Sequence, residues 1–126
     1  MALRTPLKNV RGLGSAKEGT DHFWKQRVTG AANLVLCVFL VLFIARYAGA
    51  EHAQVKGALA HPFVALPLAL LAISAAVHMR LGMQTIIEDY VHGEGAKIVL
   101  LMLNTFFSFF IGAASLFAIL KLSFGV

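Results

Sequence analysis

Three long apolar stretches, separated by short polar segments, organise the chain. They run from about Val28 to Tyr47, from about Pro62 to Ile87 and from about Lys97 to Leu120. Each is about 20 residues long or longer, which is enough for an α-helix to cross the hydrocarbon core of a bilayer. The pattern predicts an all-α membrane protein with three transmembrane helices, joined by loops at 48–60 and 88–96.

The segment before the first apolar stretch has a different composition. Residues 1–26 are polar and include Gly12, Gly14 and Gly19. Such a mixture of glycine and charge favours an irregular segment, with at most one amphipathic turn just before the first span. We therefore divide the chain into an N-terminal tail, residues 1–26, and a three-span membrane anchor, residues 27–121.

Composition and charge support a membrane protein and predict its orientation. The chain is 59% hydrophobic and only 13% charged, whereas a soluble domain is about one quarter charged. Six of its lysines and arginines precede residue 28, and basic residues beside a first span favour the cytoplasmic side. We therefore expect a cytoplasmic N-terminus, a C-terminus outside, membrane lipid as a partner and no nucleic-acid partner, because no separate basic fold is evident.

One histidine lies well inside an apolar stretch, in the second span. On a helix, His78 shares a face with Ala75 on one side and Gly82 on the other. These small neighbours leave space for a flat, wide group such as a porphyrin, and imidazole is a common axial ligand of haem iron. The alternative is a structural histidine that makes a hydrogen bond between helices, and the spacing alone leaves both interpretations open.

The number of histidines within the spans also bears on the haem hypothesis. A six-coordinate haem needs two axial ligands, and His78 is the only histidine inside a span. The second ligand would therefore come from another chain, either a partner subunit or a second copy. Nearby Arg80 points away from His78 and would either meet haem propionates or extend its side chain to the headgroups.

An aspartate and a tyrosine follow where the second span meets water. Asp89 and Tyr90 lie roughly 17–18 Å along a helix from His78. A tyrosine hydroxyl can donate a hydrogen bond to a quinone carbonyl, and Asp89 could orient that donor or pass protons. The alternative is an ordinary interfacial tyrosine beside a solvated aspartate.

Two segments resemble a known family. The pattern His78-x3-Gly82-Met83-x5-Asp89-Tyr90, and the segment Gly19–Thr29 leading into the first span, are similar to the small hydrophobic membrane anchor subunits (D subunits) of succinate dehydrogenase, respiratory complex II. The resemblance is to proteobacterial members and covers most of the chain, with the specific motif confined to residues 78–90. It implies a location in the bacterial cytoplasmic (inner) membrane.

The resemblance also implies cofactors, partners and residue roles. His78 would be an axial ligand of haem b and of its iron, Tyr90 would bind ubiquinone, and Asp89 would lie at the same site. Arg27 would lie near the haem propionates or the quinone. The implied partners are a cytochrome b subunit that supplies the second haem ligand, an iron–sulfur subunit and a flavoprotein subunit.

The chain has no motif for oxidising succinate by itself. It contains one cysteine, Cys37, and lacks a Gly-x-Gly-x-x-Gly segment after a strand, so neither an iron–sulfur cluster nor a flavin site is expected. Three other interpretations remain at this level: a small transporter with a polar track, a structural subunit of another respiratory complex, and a homodimeric cytochrome with two histidine ligands.

Overall fold

A computed structural model describes residues 5–11 and 19–125. In these ranges all regular secondary structure is helical. The five helices are α1 (Pro6–Arg11), α2 (Gly19–Tyr47), α3 (His52–Leu59), α4 (Pro62–Tyr90) and α5 (Glu94–Phe124). The helices α2, α4 and α5 are long and apolar enough to cross a membrane, which confirms the predicted all-α fold with three spans.

The first long helix begins earlier than predicted. Residues 19–27 form the opening turns of α2, and Pro6–Arg11 form α1, so the prediction of an irregular tail is wrong for both segments. Asp21 lies in the first turn of α2 and pairs with Lys25 one turn later. A carboxylate near a helix N-terminus and an i,i+4 ion pair both favour helix here. The tail positions 1–4 and 12–18 lie outside the described residues.

The connection between the last two spans is shorter than predicted. The helix α4 continues through Tyr90, and α5 begins at Glu94, so the predicted loop at 88–96 narrows to residues 91–93. The C-cap of α4 is Val91, in an extended conformation, and Gly93 is the N-cap of α5. Asp89 and Tyr90 therefore belong to the last turn of α4.

The start of α4 agrees with the sequence prediction. Pro62 occupies the first turn, where its missing N–H costs no helical hydrogen bond. The His61 ring at the N-cap accepts a hydrogen bond from the Phe63 backbone N–H. The helix continues through Pro67, so one proline inside the span does not end it.

The helix α4 is central, because it packs against α2 on one side and α5 on the other. Few side chains are shielded by these contacts, and α2 has no buried residue. The buried residues among those described are Leu59, Ala65, Leu68, Leu81, Ile87, Ser108 and Gly112. Most of the apolar surface is therefore left for lipid or for other polypeptides.

The α4–α5 contact depends on small residues. A Cβ atom added to Gly112 would lie 3.1 Å from the Ala76 Cβ, and Ser108, one turn earlier, is also buried. Small residues at i and i+4 let transmembrane helices approach closely. This Ser-x3-Gly contact face was not predicted from the sequence.

We expect Gly112→Val to destabilise the protein, because the added side chain would force α4 and α5 apart. Overpacking of this kind typically costs about 1–3 kcal/mol. The measurement is the thermal unfolding midpoint of the detergent-solubilised protein, followed by circular dichroism. Gly57→Val is the matched control, since a Cβ at Gly57 would meet no atom within 4 Å. Equal losses in both variants would contradict the role of Gly112 in packing.

Candidate functional site

A groove with several polar side chains in its lining lies between α2 and α4 and contains two of the residues selected from the sequence. Its volume is about 550 Å³, within the range of small-molecule and cofactor sites. The lining residues are Gly19, His22, Phe23, Gln26, Arg27, Gly30, Ala31, His78 and Thr85. The structure thus brings His78 and Arg27 to one groove, formed by the start of α2 and the C-terminal half of α4.

The His78 ring is half-buried against α2. Its Nδ1 lies 3.1 Å from the Thr29 hydroxyl oxygen, and a Cβ atom added to Gly30 would lie 3.3 Å from its Cε1. Gly30 therefore lets the α2 backbone approach the imidazole closely. Nearby, the Ser74 hydroxyl donates to the Thr29 carbonyl at 3.3 Å.

Four polar side chains form a stripe along α2, at positions 22, 26, 29 and 33. Their spacing of i, i+4, i+7 and i+11 places them on one helix face. Three of them have a buried atom without a hydrogen-bond partner among the described residues: His22 Nε2, Gln26 Oε1 and Asn33 Oδ1. Buried polar atoms without partners are costly, so this stripe favours a further group, either a bound molecule or another chain, against α2.

Arg27 supplies a positive charge at this groove. Its guanidinium lies over the Phe23 ring, 5.1 Å from the ring centroid, and its side chain is exposed. A cation held in this way can pair with an anionic group in the groove.

The structure does not bring Asp89 and Tyr90 together with His78. Both are exposed in the last turn of α4, and Tyr90 is 77% exposed. Twelve residues separate Tyr90 from His78, which corresponds to about 18 Å along the helix. The two predicted sites are therefore separate positions on the same helix, one within the span and one at its end.

Arg80 lies away from His78, as its position on the helix predicts. It lines a polar groove of about 840 Å³ on another side of the α2–α4 pair, together with Asp21 and Glu88. It also borders an apolar groove of about 320 Å³ between α4 and α5. Neither of these grooves contains His78.

His22 and Gln26, which line the groove, and Thr29, which contacts His78, were not predicted from the sequence. Their common signal was the helical spacing with Asn33, which becomes visible only if α2 is continued back to Gly19. The glycines and charges of this segment had favoured irregular structure instead.

Comparisons with known proteins agree with the resemblance seen in the sequence. Residues 1–113 match the model of the succinate dehydrogenase/fumarate reductase transmembrane subunit family. The chain is 34% identical to a succinate dehydrogenase hydrophobic membrane anchor subunit from Paracoccus denitrificans, over 96% of this chain and 93% of that protein. It is 32% identical to the protein of the same name from Rickettsia bellii, over 83% and 84%. No solved structure gives a significant match.

Proposed function

The chain belongs to the succinate dehydrogenase/fumarate reductase transmembrane subunit family, as a hydrophobic membrane anchor subunit, and from this premise we propose that it helps to bind haem b and ubiquinone. The observation that carries the proposal is the groove that His78 shares with Arg27. In this proposal the chain docks an iron–sulfur subunit and a flavoprotein subunit, which oxidise succinate, and contains no succinate-oxidising site itself.

The residues of the groove fit one side of a haem. His78 would hold the iron, and Arg27 would pair with the propionates. The buried His22 Nε2 and Gln26 Oε1 are polar atoms that still need partners, and Gly30 and Ala31 leave room beside the imidazole. When bound, haem supplies one-electron redox chemistry at its iron, while these side chains orient it and neutralise its charge.

The second axial ligand is proposed to come from the cytochrome b anchor subunit. Among the described histidines, His22 alone shares the groove with His78. It lies seven residues before Thr29, about 10 Å along α2 from the Thr29–His78 contact. A ligand from another chain is proposed because His78 is the only histidine within the three apolar stretches. The open face of α2, which has no buried residue, is available for the partner subunit.

Tyr90 is proposed to bind ubiquinone at the end of α4. Its exposed hydroxyl has no hydrogen-bond partner among the described residues, so it can donate to a quinone carbonyl oxygen. Asp89, beside it and exposed, would pass protons from the aqueous side. Residues from the start of α2 and the end of α4 line the same groove, which supports a position for Tyr90 on the side of the basic tail.

The proposed position of Tyr90 on the side of the basic tail leads to a proposed orientation in the bacterial cytoplasmic membrane. Six basic residues precede residue 28, and such residues favour the cytoplasm. Tyr90 would then face the cytoplasm, where the hydrophilic subunits dock, and the C-terminus would lie outside.

The test is to purify the tagged chain from its native membrane in mild detergent, identify the copurifying chains and record a reduced-minus-oxidised spectrum. We expect a flavoprotein, an iron–sulfur protein, a second anchor chain and a b-type haem spectrum. A colourless assembly without a flavoprotein would overturn the proposal. Haem bound to the chain expressed alone would instead support a homodimeric cytochrome.

A further inference from the structure

The Thr29 hydroxyl has more potential partners than it has hydrogens. Its oxygen lies 2.6 Å from the Lys25 carbonyl oxygen, 3.3 Å from the Gln26 carbonyl oxygen and 3.1 Å from His78 Nδ1. A hydroxyl has one hydrogen to donate, and a carbonyl oxygen can only accept. Two oxygens 2.6 Å apart need a hydrogen between them, so the Thr29 hydrogen points to the Lys25 carbonyl.

This assignment determines which nitrogen of His78 carries the proton. With its hydrogen engaged at Lys25, the Thr29 oxygen can meet Nδ1 only as an acceptor, so Nδ1 is the donor. A neutral imidazole has one N–H, and Nε2 therefore carries a free lone pair. A metal binds the unprotonated nitrogen, and the partner of the other nitrogen sets which one that is.

We propose that Thr29, held by the Lys25 carbonyl, accepts the Nδ1 hydrogen of His78, fixes the ring with Nε2 unprotonated and thereby positions this imidazole as the haem ligand. Thr29 is a positioning residue, since it acts through His78. The inference rests on the proposed function, because it requires that His78 ligates the haem iron.

Two further contacts hold Thr29 in place. The Ser74 hydroxyl donates to the Thr29 carbonyl at 3.3 Å, which links α4 to α2 one turn from His78. The next residue, Gly30, allows the close approach, since a Cβ there would lie 3.3 Å from His78 Cε1. The hydroxyl is thus fixed from its own helix and from α4.

The test replaces Thr29 with valine, which has nearly the same shape but no hydroxyl, in the purified complex. We expect haem affinity to fall about 10- to 100-fold, the usual cost of losing an outer-shell partner, and haem to dissociate correspondingly faster. We also expect a higher haem midpoint potential, because an imidazole whose N–H is not hydrogen-bonded is a less basic ligand and stabilises ferric iron less. Thr29→Ser keeps the hydroxyl and should retain the wild-type potential.

The matched control is Thr105→Val on α5. The Thr105 hydroxyl donates to the Leu101 carbonyl at 2.9 Å, so this variant loses the same bond to the preceding turn without a histidine partner. Haem dissociation and potential should stay at the wild-type values.

The outcomes separate this inference from the proposed function. If His78→Ala alters the haem but Thr29→Val does not, the inference about Thr29 is overturned and the haem ligand stands. If His78→Ala leaves the haem unchanged, the proposed function fails first. If the Thr29→Val complex does not assemble, Thr29→Ala replaces it with the same expected result. A shifted haem potential in Thr29→Ser would also overturn the inference.

Discussion

Replacing His78 with alanine is expected to weaken haem retention in the purified complex by at least about tenfold. Changes that only touch the partners of a metal ligand cost 10- to 100-fold in affinity, and this variant removes the ligand itself. The haem that remains would have one protein ligand, supplied by the partner subunit, so its spectrum should also change. The measurements are haem per flavin and the reduced-minus-oxidised spectrum.

The control for this prediction is His52→Ala. His52 is exposed on α3, outside the groove that contains His78, and its removal should leave both haem content and spectrum unchanged. Unchanged spectra in His78→Ala itself would favour the other interpretation of this residue, a structural histidine bonded to Thr29. In that case the main effect of the variant would be a lower thermal unfolding midpoint, from the lost contact between α2 and α4.

The sequence was sufficient to predict the three long helices and one face of α4, but not α1 or α3, which lies within the predicted loop at 48–60. Apolar stretches of span length predict three helices directly, and the 3.6-residue period places His78 between Ala75 and Gly82 without knowledge of any other helix. The contact between Thr29 and His78 could not be predicted in this way. It depends on the position of α2 relative to α4 along the helix axes. That position is set by the close approach at Gly30 and not by either helix alone.

The main error in the predicted fold was the start of α2, and its cause lies in the residues around that start. Gly19 and the charges after it are typical of irregular structure, but Asp21 and Lys25 pair across one helical turn, and an acidic residue favours a helix N-terminus. Once α2 starts at Gly19, His22 and Gln26 fall on the same face as Thr29. The prediction of His22 and Gln26 as groove residues therefore depended on placing the start of α2 correctly.

The small number of side chains buried between the three spans bears on the function. Few side chains are buried between α2, α4 and α5, and three buried polar atoms on α2 have no partner among the described residues. In lipid, the described part of the chain by itself would leave these atoms unsatisfied. A haem or a second anchor subunit against α2 would satisfy them, which supports the proposed function beside the separate need for a second haem ligand.

Tyr90→Phe is expected to slow quinone reduction by about tenfold while succinate oxidation with a soluble dye acceptor stays at the wild-type rate. The variant removes only the hydroxyl, and the loss of one hydrogen bond worth about 1.4 kcal/mol corresponds to a factor of about ten in rate. Dye reduction bypasses the quinone site, so it reports whether the hydrophilic subunits remain intact. Tyr90 is 77% exposed, so the loss of its hydroxyl should not disturb the fold.

The matched control is Tyr47→Phe, the same chemical change at the last residue of α2, near the opposite face of the membrane. There the ring packs on Phe43, with 4.9 Å between the centroids, and the control should leave both activities unchanged. A parallel fall of quinone and dye reduction in Tyr90→Phe would mean that the variant damages assembly, and the assignment of Tyr90 to the quinone would lose its support. A fall confined to quinone reduction would support the assignment of the phenol to the quinone site, because His78 lies about 18 Å away along α4.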